Sequence, residues 1–235
     1  YHCAALVSFN PKDYRKMRQV NIDGTANMIN LSIDAKVVKF CFVSSIAAVG
    51  KAINGKPIDE ENEWADEDNN NGYSITKYGA EMEVWRGSQE GLDVIIVNPG
   101  VILGSGFWNE GSGKLFTQIN NGFKFYTEGI TGFVSVKDVV KAMILLLQSD
   151  IKNERFVLVS ENKSFKDVLF TIADGLHKKK PYIKVGTLIT SFIWRIDSVI
   201  TLITKKEPLL TKNSAKASHN KSYYSSKKIT KKLNF

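Results

Sequence analysis

Three short runs rich in β-branched and aromatic residues, VVKFCFV at 37–43, LDVIIVNPG at 92–100 and RFVLVS at 155–160, recur along this chain with a helix-length stretch before each. GTANMINLSIDA precedes the first, a segment from near Tyr73 to about Gly87 precedes the second, and VKDVVKAMILLLQS precedes the third. Neighbouring parallel strands need a crossover of roughly a dozen residues or more, and a helix supplies it. The spacing predicts an α/β chain whose parallel sheet is covered by helices on both faces. A content of 43% hydrophobic and 24% charged residues suits such a core.

In sheets of this kind ligands collect beyond the carboxyl ends of the strands. AALVSF at 4–9, SSIAAVG at 44–50 and NPGVILG at 98–104 are expected to meet there. The acidic, asparagine-rich stretch 54–71 between the last two brings no histidine to its carboxylates, so it reads as a solvated loop rather than a metal site. From about 105 the sequence FWNEGSGKLFTQINNGFKFYTEGITGF mixes aromatics with glycines and reads as a lid or substrate-side region rather than sheet. Residues 185–203 then place Val185, Leu188, Ile189, Phe192, Ile193, Ile196, Val199, Ile200 and Ile203 on one helical face. Arg195 and Asp197 break that run, which argues for core packing over a membrane span and leaves weak contact with a membrane surface as the minor alternative.

The net charge of +8 suggests nucleic acid until it is located. Nine lysines and one acid fall in 201–235, so residues 1–200 carry 23 charges of each sign. A neutral body with a lysine-rich tail reads as a solvated surface, and no nucleic-acid partner is expected. Cys3 and Cys41 lie in no Cys-x-x-Cys or Cys/His cluster, and the start YHCAALVSF has neither a basic nor a long apolar leader segment. Both features fit a reducing, cytoplasmic setting.

Tyr-x-x-x-Lys occurs three times, at Tyr73/Lys77, Tyr223/Lys227 and Tyr224/Lys228. A phenol titrates near pH 10, and a cation one helical turn away favours its ionised form. Carbonyl chemistry needs in addition a hydroxyl to hold the substrate oxygen, and Ser44 and Ser45 stand at the end of the 37–43 run where such a donor belongs. The pairs at 223–228 have no such strand-end partner. Taken singly, each residue also has an ordinary structural use: Ser44 and Ser45 as turn caps, Asn21 as an N-cap before IDGTANM, and Pro99-Gly100 as a strand terminator.

Taken in order, Ser45 in FVSSIAAVG, Tyr73 and Lys77 in YSITKYGAE, NIDGT at 21–25 and VNPGVILG at 97–104 resemble the extended short-chain dehydrogenase/reductase family, also called the NAD-dependent epimerase/dehydratase family. The likeness runs from HCAA at 2–5 to about FVSVKDVVKAM at 133–143. It implies a Rossmann-like, doubly wound parallel sheet and NAD or NADP as cofactor. Tyr73 would be the general acid/base, Lys77 would lower its pKa and hold the nicotinamide ribose, and Ser45, with Ser44 as its neighbour candidate, would hydrogen-bond the reacting oxygen. Ala4 and Ala5 would line the adenosine side, Asn21 the interior near the cofactor, and Pro99, Gly100 and Val101 the carboxamide.

The family's Gly-x-x-Gly-x-x-Gly turn is not found in these 235 residues, so the expectation is an N-terminally truncated chain, inactive as a fragment. The expected organisation is a partial NAD(P)-binding domain over 1–104 and a mixed, substrate-side region over 105–235 with late Rossmann elements around 133–160. Two look-alikes are set aside. Gly100, Gly104 and Gly106 spell Gly-x-x-x-Gly-x-Gly after the Tyr/Lys pair instead of before it, and GSGK at 111–114 has Trp108 and Leu115 where a phosphate loop needs Gly and Ser/Thr. VIIVNPGVILG resembles the dihydroflavonol reductase-like branch, which implies a carbonyl reductase or hydroxyl dehydrogenase acting on a small molecule, with a homodimer as the expected assembly. A nucleotide-sugar epimerase or dehydratase and a non-catalytic binding protein of the same fold are the alternatives.

Overall fold

The run at 37–43 forms β1 (Lys39–Val43), which pairs in parallel with β2 (Asp93–Pro99), and β2 pairs in parallel with β6 (Glu154–Leu158) in the computed structural model of the chain. The structure describes residues 1–65, 71–191, 194–195 and 211–233. The register sets Phe42 beside Ile96 and Val97 beside Phe156. On the far side of β1, His2 forms a parallel bridge with Phe42: its N–H donates to the Cys41 carbonyl at 2.8 Å, and its carbonyl accepts from Val43 N at 3.0 Å.

Alternate residues of a strand face opposite sides of the sheet. Phe40, Phe42, Val94 and Ile96 turn to one face and pack on α2 (Gly24–Asp34) and α3 (Gly72–Gln89) through Ile29, Ala80 and Val84. Cys41, Ile95 and Val97 turn to the other and are equally buried, with α5 (Val136–Gln148) packed on β1 and β2. Near-continuous hydrophobicity in the strands is what burial on both faces requires. The fold is the expected Rossmann-like α/β sheet.

The segment before α2 is helical from α1 (Tyr14–Arg18) onward, with a π-helical turn at Gln19–Asp23. Asn21 therefore lies inside a helix and caps nothing, which corrects the N-cap reading.

The chain divides into two compact units, each discontinuous in sequence: residues 1–100, 134–160 and 224–235 form the first, and 101–133 with 161–223 the second. In the second, α4 (Gly113–Asn120) and α6 (Phe165–Gly175) close a core of Ile119, Phe133, Val168, Leu169 and Ile172. Contrary to the sheet-free reading of this region, β5 (Ile130–Ser135) lies between β3 (Val101–Leu103) and β7 (Glu161–Ser164), antiparallel to β7, and β4 (Phe125–Tyr126) pairs with β8 (Ile183–Lys184). Isolated two- and three-residue strands carry too short a period to be read from sequence. Gly113 is required by close approach: a Cβ there would overlap the Phe107 carbonyl, so the GSGK glycine serves packing.

Two surface readings are also corrected. In the stretch 54–71, Ile58 and Asn62 are buried, and Glu60 Oε1 accepts from Val157 N of β6 at 2.7 Å, so this part of the loop is an integral cover. The lysine-rich segment 224–233 is likewise docked. Ile229 of α8 (Lys227–Leu233) is buried, and Ser226 bonds both the N–H and the carbonyl of Val159. Lys228 and Lys232 pair with Glu154, and Tyr224 packs on Val49, Ile58 and Val157. Within 211–223, Thr211 and Ser214 form a capping box at α7 (Lys212–Ala217). Of the apolar face over 185–203, Val185 is buried while Leu188 and Ile189 are exposed, and Phe192, Ile193, Ile196, Val199, Ile200 and Ile203 lie outside the described residues. Among the described residues no helix is long and apolar enough to cross a membrane.

Candidate active site

Asn71 caps α3 by accepting from Ser74 N at 2.9 Å, which starts the helix one residue before Tyr73. Helical periodicity then places Tyr73, Lys77 and Glu81 on one face, turned to the carboxyl ends of β1 and β2. Beyond β1, Ser45 has extended backbone, and its hydroxyl oxygen accepts from Ala47 N at 3.1 Å, capping a short 3-10 turn. Ser45 thus serves as the turn cap at the end of β1.

Burial pushes the Tyr73 phenol up from its ordinary value, and the Ser45 side chain opposes the rise by favouring the ionised form. At neutral pH Tyr73 is a phenol with a proton to give. The Phe9 ring meets it edge-on at 6.1 Å.

Lys77 is only 2% exposed, and its ammonium donates to the Val43 carbonyl at 2.8 Å and sits 4.6 Å above the Phe42 ring. Burial lowers its pKa to about 8, against the opposing pull of Glu81. The His2 imidazole is depressed by its own burial and then by the Lys77 charge. Its Nε2 lies 3.0 Å from the Thr25 hydroxyl.

Asn21 is 1% exposed and holds the 4–9 segment by its backbone: Oδ1 accepts from Leu6 N at 2.7 Å while Nδ2 donates to Leu6 O at 3.0 Å and to Thr76 Oγ1 at 3.1 Å. All its hydrogen-bonding capacity toward that segment is used internally. Ala4 and Ala5, just before the clamp, are exposed. Ser44, the neighbouring candidate for the serine role, turns inward and does not face a cofactor site: it is 4% exposed and donates to Glu81 Oε2 at 2.7 Å. Pro99 ends β2, Gly100 N donates to the Leu158 carbonyl at 3.0 Å, and Val101 opens β3.

The first unit thus brings Ser45, Tyr73 and Lys77 to one sheet crest beside Asn21, Pro99 and Gly100. The tail tyrosines are elsewhere: Tyr224 belongs to the apolar cluster on β6, and Lys228 is paired to Glu154. Sequence reading missed Glu81, Asn98 and Arg155, which form a buried polar cluster behind the crest. Glu81 was detectable in part, being one helical turn past Lys77 on the same face. Nothing local to Arg155 announces that it meets a residue 74 positions away.

Residues 1–160 match the NAD-binding family model described as Male sterility protein. The chain is 26% identical over 243 residues to a putative dihydroflavonol 4-reductase of Synechocystis sp., covering 99% of this chain and 70% of that protein. It is 29% identical over 167 residues to cinnamoyl-CoA reductase 1 of Petunia hybrida, covering 67% of this chain and 49% of that protein. Among solved structures, the crystal structure of gox2253 matches with a TM-score of 0.80 at 26% identity, over 100% of this chain and 72% of that one. The chain therefore spans less than the full length of these relatives, about half in the case of the cinnamoyl-CoA reductase. With the Ser/Tyr/Lys crest and the family match over most of its length, the chain belongs to the extended short-chain dehydrogenase/reductase family, whose members are NAD- or NADP-dependent enzymes.

Proposed function

We propose that this chain carries the reacting half of an NAD(P)-dependent carbonyl reductase for a small organic substrate. The observation that carries the reading is Tyr73 at the strand crest with the buried Lys77 ammonium one helical turn along α3, tied to the Val43 carbonyl, and Ser45 two residues further on at the turn that ends β1. The donor set suits a nicotinamide dinucleotide: a cation at the crest, a protonated phenol, and exposed Ala4 and Ala5 with no long side chain to obstruct an adenosine. Bound there, the cofactor would supply the hydride. The protein's part is the proton. Tyr73 gives its phenolic proton to the carbonyl oxygen, Ser45 donates a hydrogen bond to the same oxygen, and Lys77 presents positive charge to the ribose and to the phenolate left behind. Asn21 acts on the cofactor indirectly, by fixing the backbone that carries Ala4 and Ala5, and Pro99 and Gly100 form the wall on the carboxamide side. Ser44 supports Ser45 from within. Relatives named as reductases favour reduction over sugar epimerisation.

The test is steady-state reduction by the full-length protein with NADPH or NADH and a panel of aromatic and aliphatic carbonyls. Tyr73→Phe should lower kcat by about 10²–10⁴ with cofactor affinity nearly unchanged, the range expected for general acid catalysis. Unchanged turnover would remove Tyr73 from the chemistry. Isomerised sugar nucleotide without net NAD(P)H consumption would replace the reductase reading by the epimerase one.

A further inference from the structure

Glu81 has no exposed surface, and a carboxylate inside a protein is costly unless paired and fully hydrogen-bonded. Its partners come from β2, β6 and the residue just past β1. Oε2 accepts from the Ser44 hydroxyl at 2.7 Å and from Asn98 Nδ2 at 2.9 Å, and Oε1 lies 3.3 Å from Arg155 Nη1. Arg155 is itself held by the carbonyls of Glu60 at 2.6 Å and Asn62 at 3.0 Å. Asn98 donates in addition to the Ser45 carbonyl at 3.0 Å. The carboxylate therefore grips Ser44 directly and Ser45 through Asn98, at both ends of the dipeptide that carries the Ser45 hydroxyl. Glu81 rides on the same helix as Tyr73.

The geometry points to Glu81 as a positioning residue that locks the end of β1 to α3, so that Ser45 is held in place at the crest where Tyr73 stands. It touches neither reacting oxygen. Its functional meaning rests on the reading of Ser45 and Tyr73 given above, but the coupling it requires is readable without turnover. Glu81→Gln keeps the shape and breaks the lock: one amide oxygen can still accept from Ser44 and Asn98, but the amide NH₂ then faces the Arg155 guanidinium, donor against donor. Ser45 loses its fixed seat, and with it the influence by which its side chain favours the ionised Tyr73 phenol.

The experiment is 19F NMR titration of the protein labelled with 3-fluorotyrosine, the Tyr73 signal being assigned by its loss in Tyr73→Phe. Ser45→Ala and Glu81→Gln should each raise the Tyr73 midpoint by about one unit, the size of one hydrogen bond to a charged group. The double variant should go no higher than Ser45→Ala alone, since both act through the Ser45 side chain. In the active enzyme Glu81→Gln should lower kcat about tenfold and leave the KM for NAD(P)H in place. A Tyr73 midpoint that stays at the wild-type value in Glu81→Gln, with the denaturation midpoint lowered, would reduce Glu81 to a stabilising role and overturn the inference. Should Glu81→Gln fail to fold, Ser44→Ala removes one hydroxyl and is read the same way: an upward shift supports the lock, and none overturns it. A Tyr73→Phe enzyme that still turns over would sink the reductase reading while leaving the titration result standing.

Discussion

At the scale of single residues, the site works by taking ionisable groups out of water. Lys77 shows this most directly, because burial holds its ammonium at about 8 against an ordinary 10.5. Between those two values the unfolded chain binds the proton and the folded chain releases it. Unfolding then takes up protons, so the stability of the fold rises as pH increases across this window. A shift of this size corresponds to about 3 kcal/mol. Comparing urea denaturation at pH 7.5 and pH 9.5, wild type should gain stability relative to Lys77→Met, which has no such group to titrate. Equal pH dependence in the two proteins would mean that Lys77 keeps its ordinary pKa. The same burial acts oppositely on Tyr73, raising the phenol and keeping its proton on at neutral pH, the state a proton donor needs.

At the scale of elements, the π-turn at Gln19–Asp23 and the crest segment 4–9 depend on each other. An ordinary α-helix closes every amide onto the residue four back; a π-turn inserts one residue and re-aims its side chain, a device often found beside functional sites. Here the re-aimed side chain is Asn21, which serves as a strand partner for Leu6. Asn21→Ala should cost about 2–4 kcal/mol, since it leaves the Leu6 amide and carbonyl without their partner. Hydrogen exchange at Leu6 should accelerate, and NAD(P) affinity should fall even though Asn21 itself faces inward. Asn21→Ala with Leu6 protection intact would show that the segment is held by other means.

At the scale of the whole chain, the first unit is assembled from three separated stretches, and the described part of its last, 224–233, returns to β6. Ile229 is 1% exposed there, and Glu154 holds Lys228 at 2.9 Å and Lys232 at 3.1 Å. Ile229→Ala should destabilise this unit by about 2–5 kcal/mol, the range for emptying a buried aliphatic site. Hydrogen exchange should rise first at β6 and the 224–233 segment, while the core around Ile119 and Leu169 keeps its protection. Uniform loss across both units would show that they unfold together.

Strand runs, helix lengths and the Tyr73/Lys77 pair were readable in sequence because each is a local pattern: a period, or a spacing of one helical turn. The chain's α/β class follows from these alone. The choice of Tyr73 over Tyr223 and Tyr224 came from order among motifs, and the fold explains it, since only Tyr73 lies on a helix that passes the end of β1. What sequence could not supply is where charge is neutralised. Arg155, Glu81, Ser44 and Asn98 come from four separate elements, and only the parallel register of β1, β2 and β6 brings them within hydrogen-bond distance. The lysines at 227–232 read as a solvated tail for the same reason. Whether a lysine meets water or a carboxylate depends on which surface the chain returns to, and the pairing with Glu154 spans more than 70 positions. Local periodicity determined the elements; long-range packing, which sets burial and thereby the pKa of Tyr73 and Lys77, was decided by the tertiary structure.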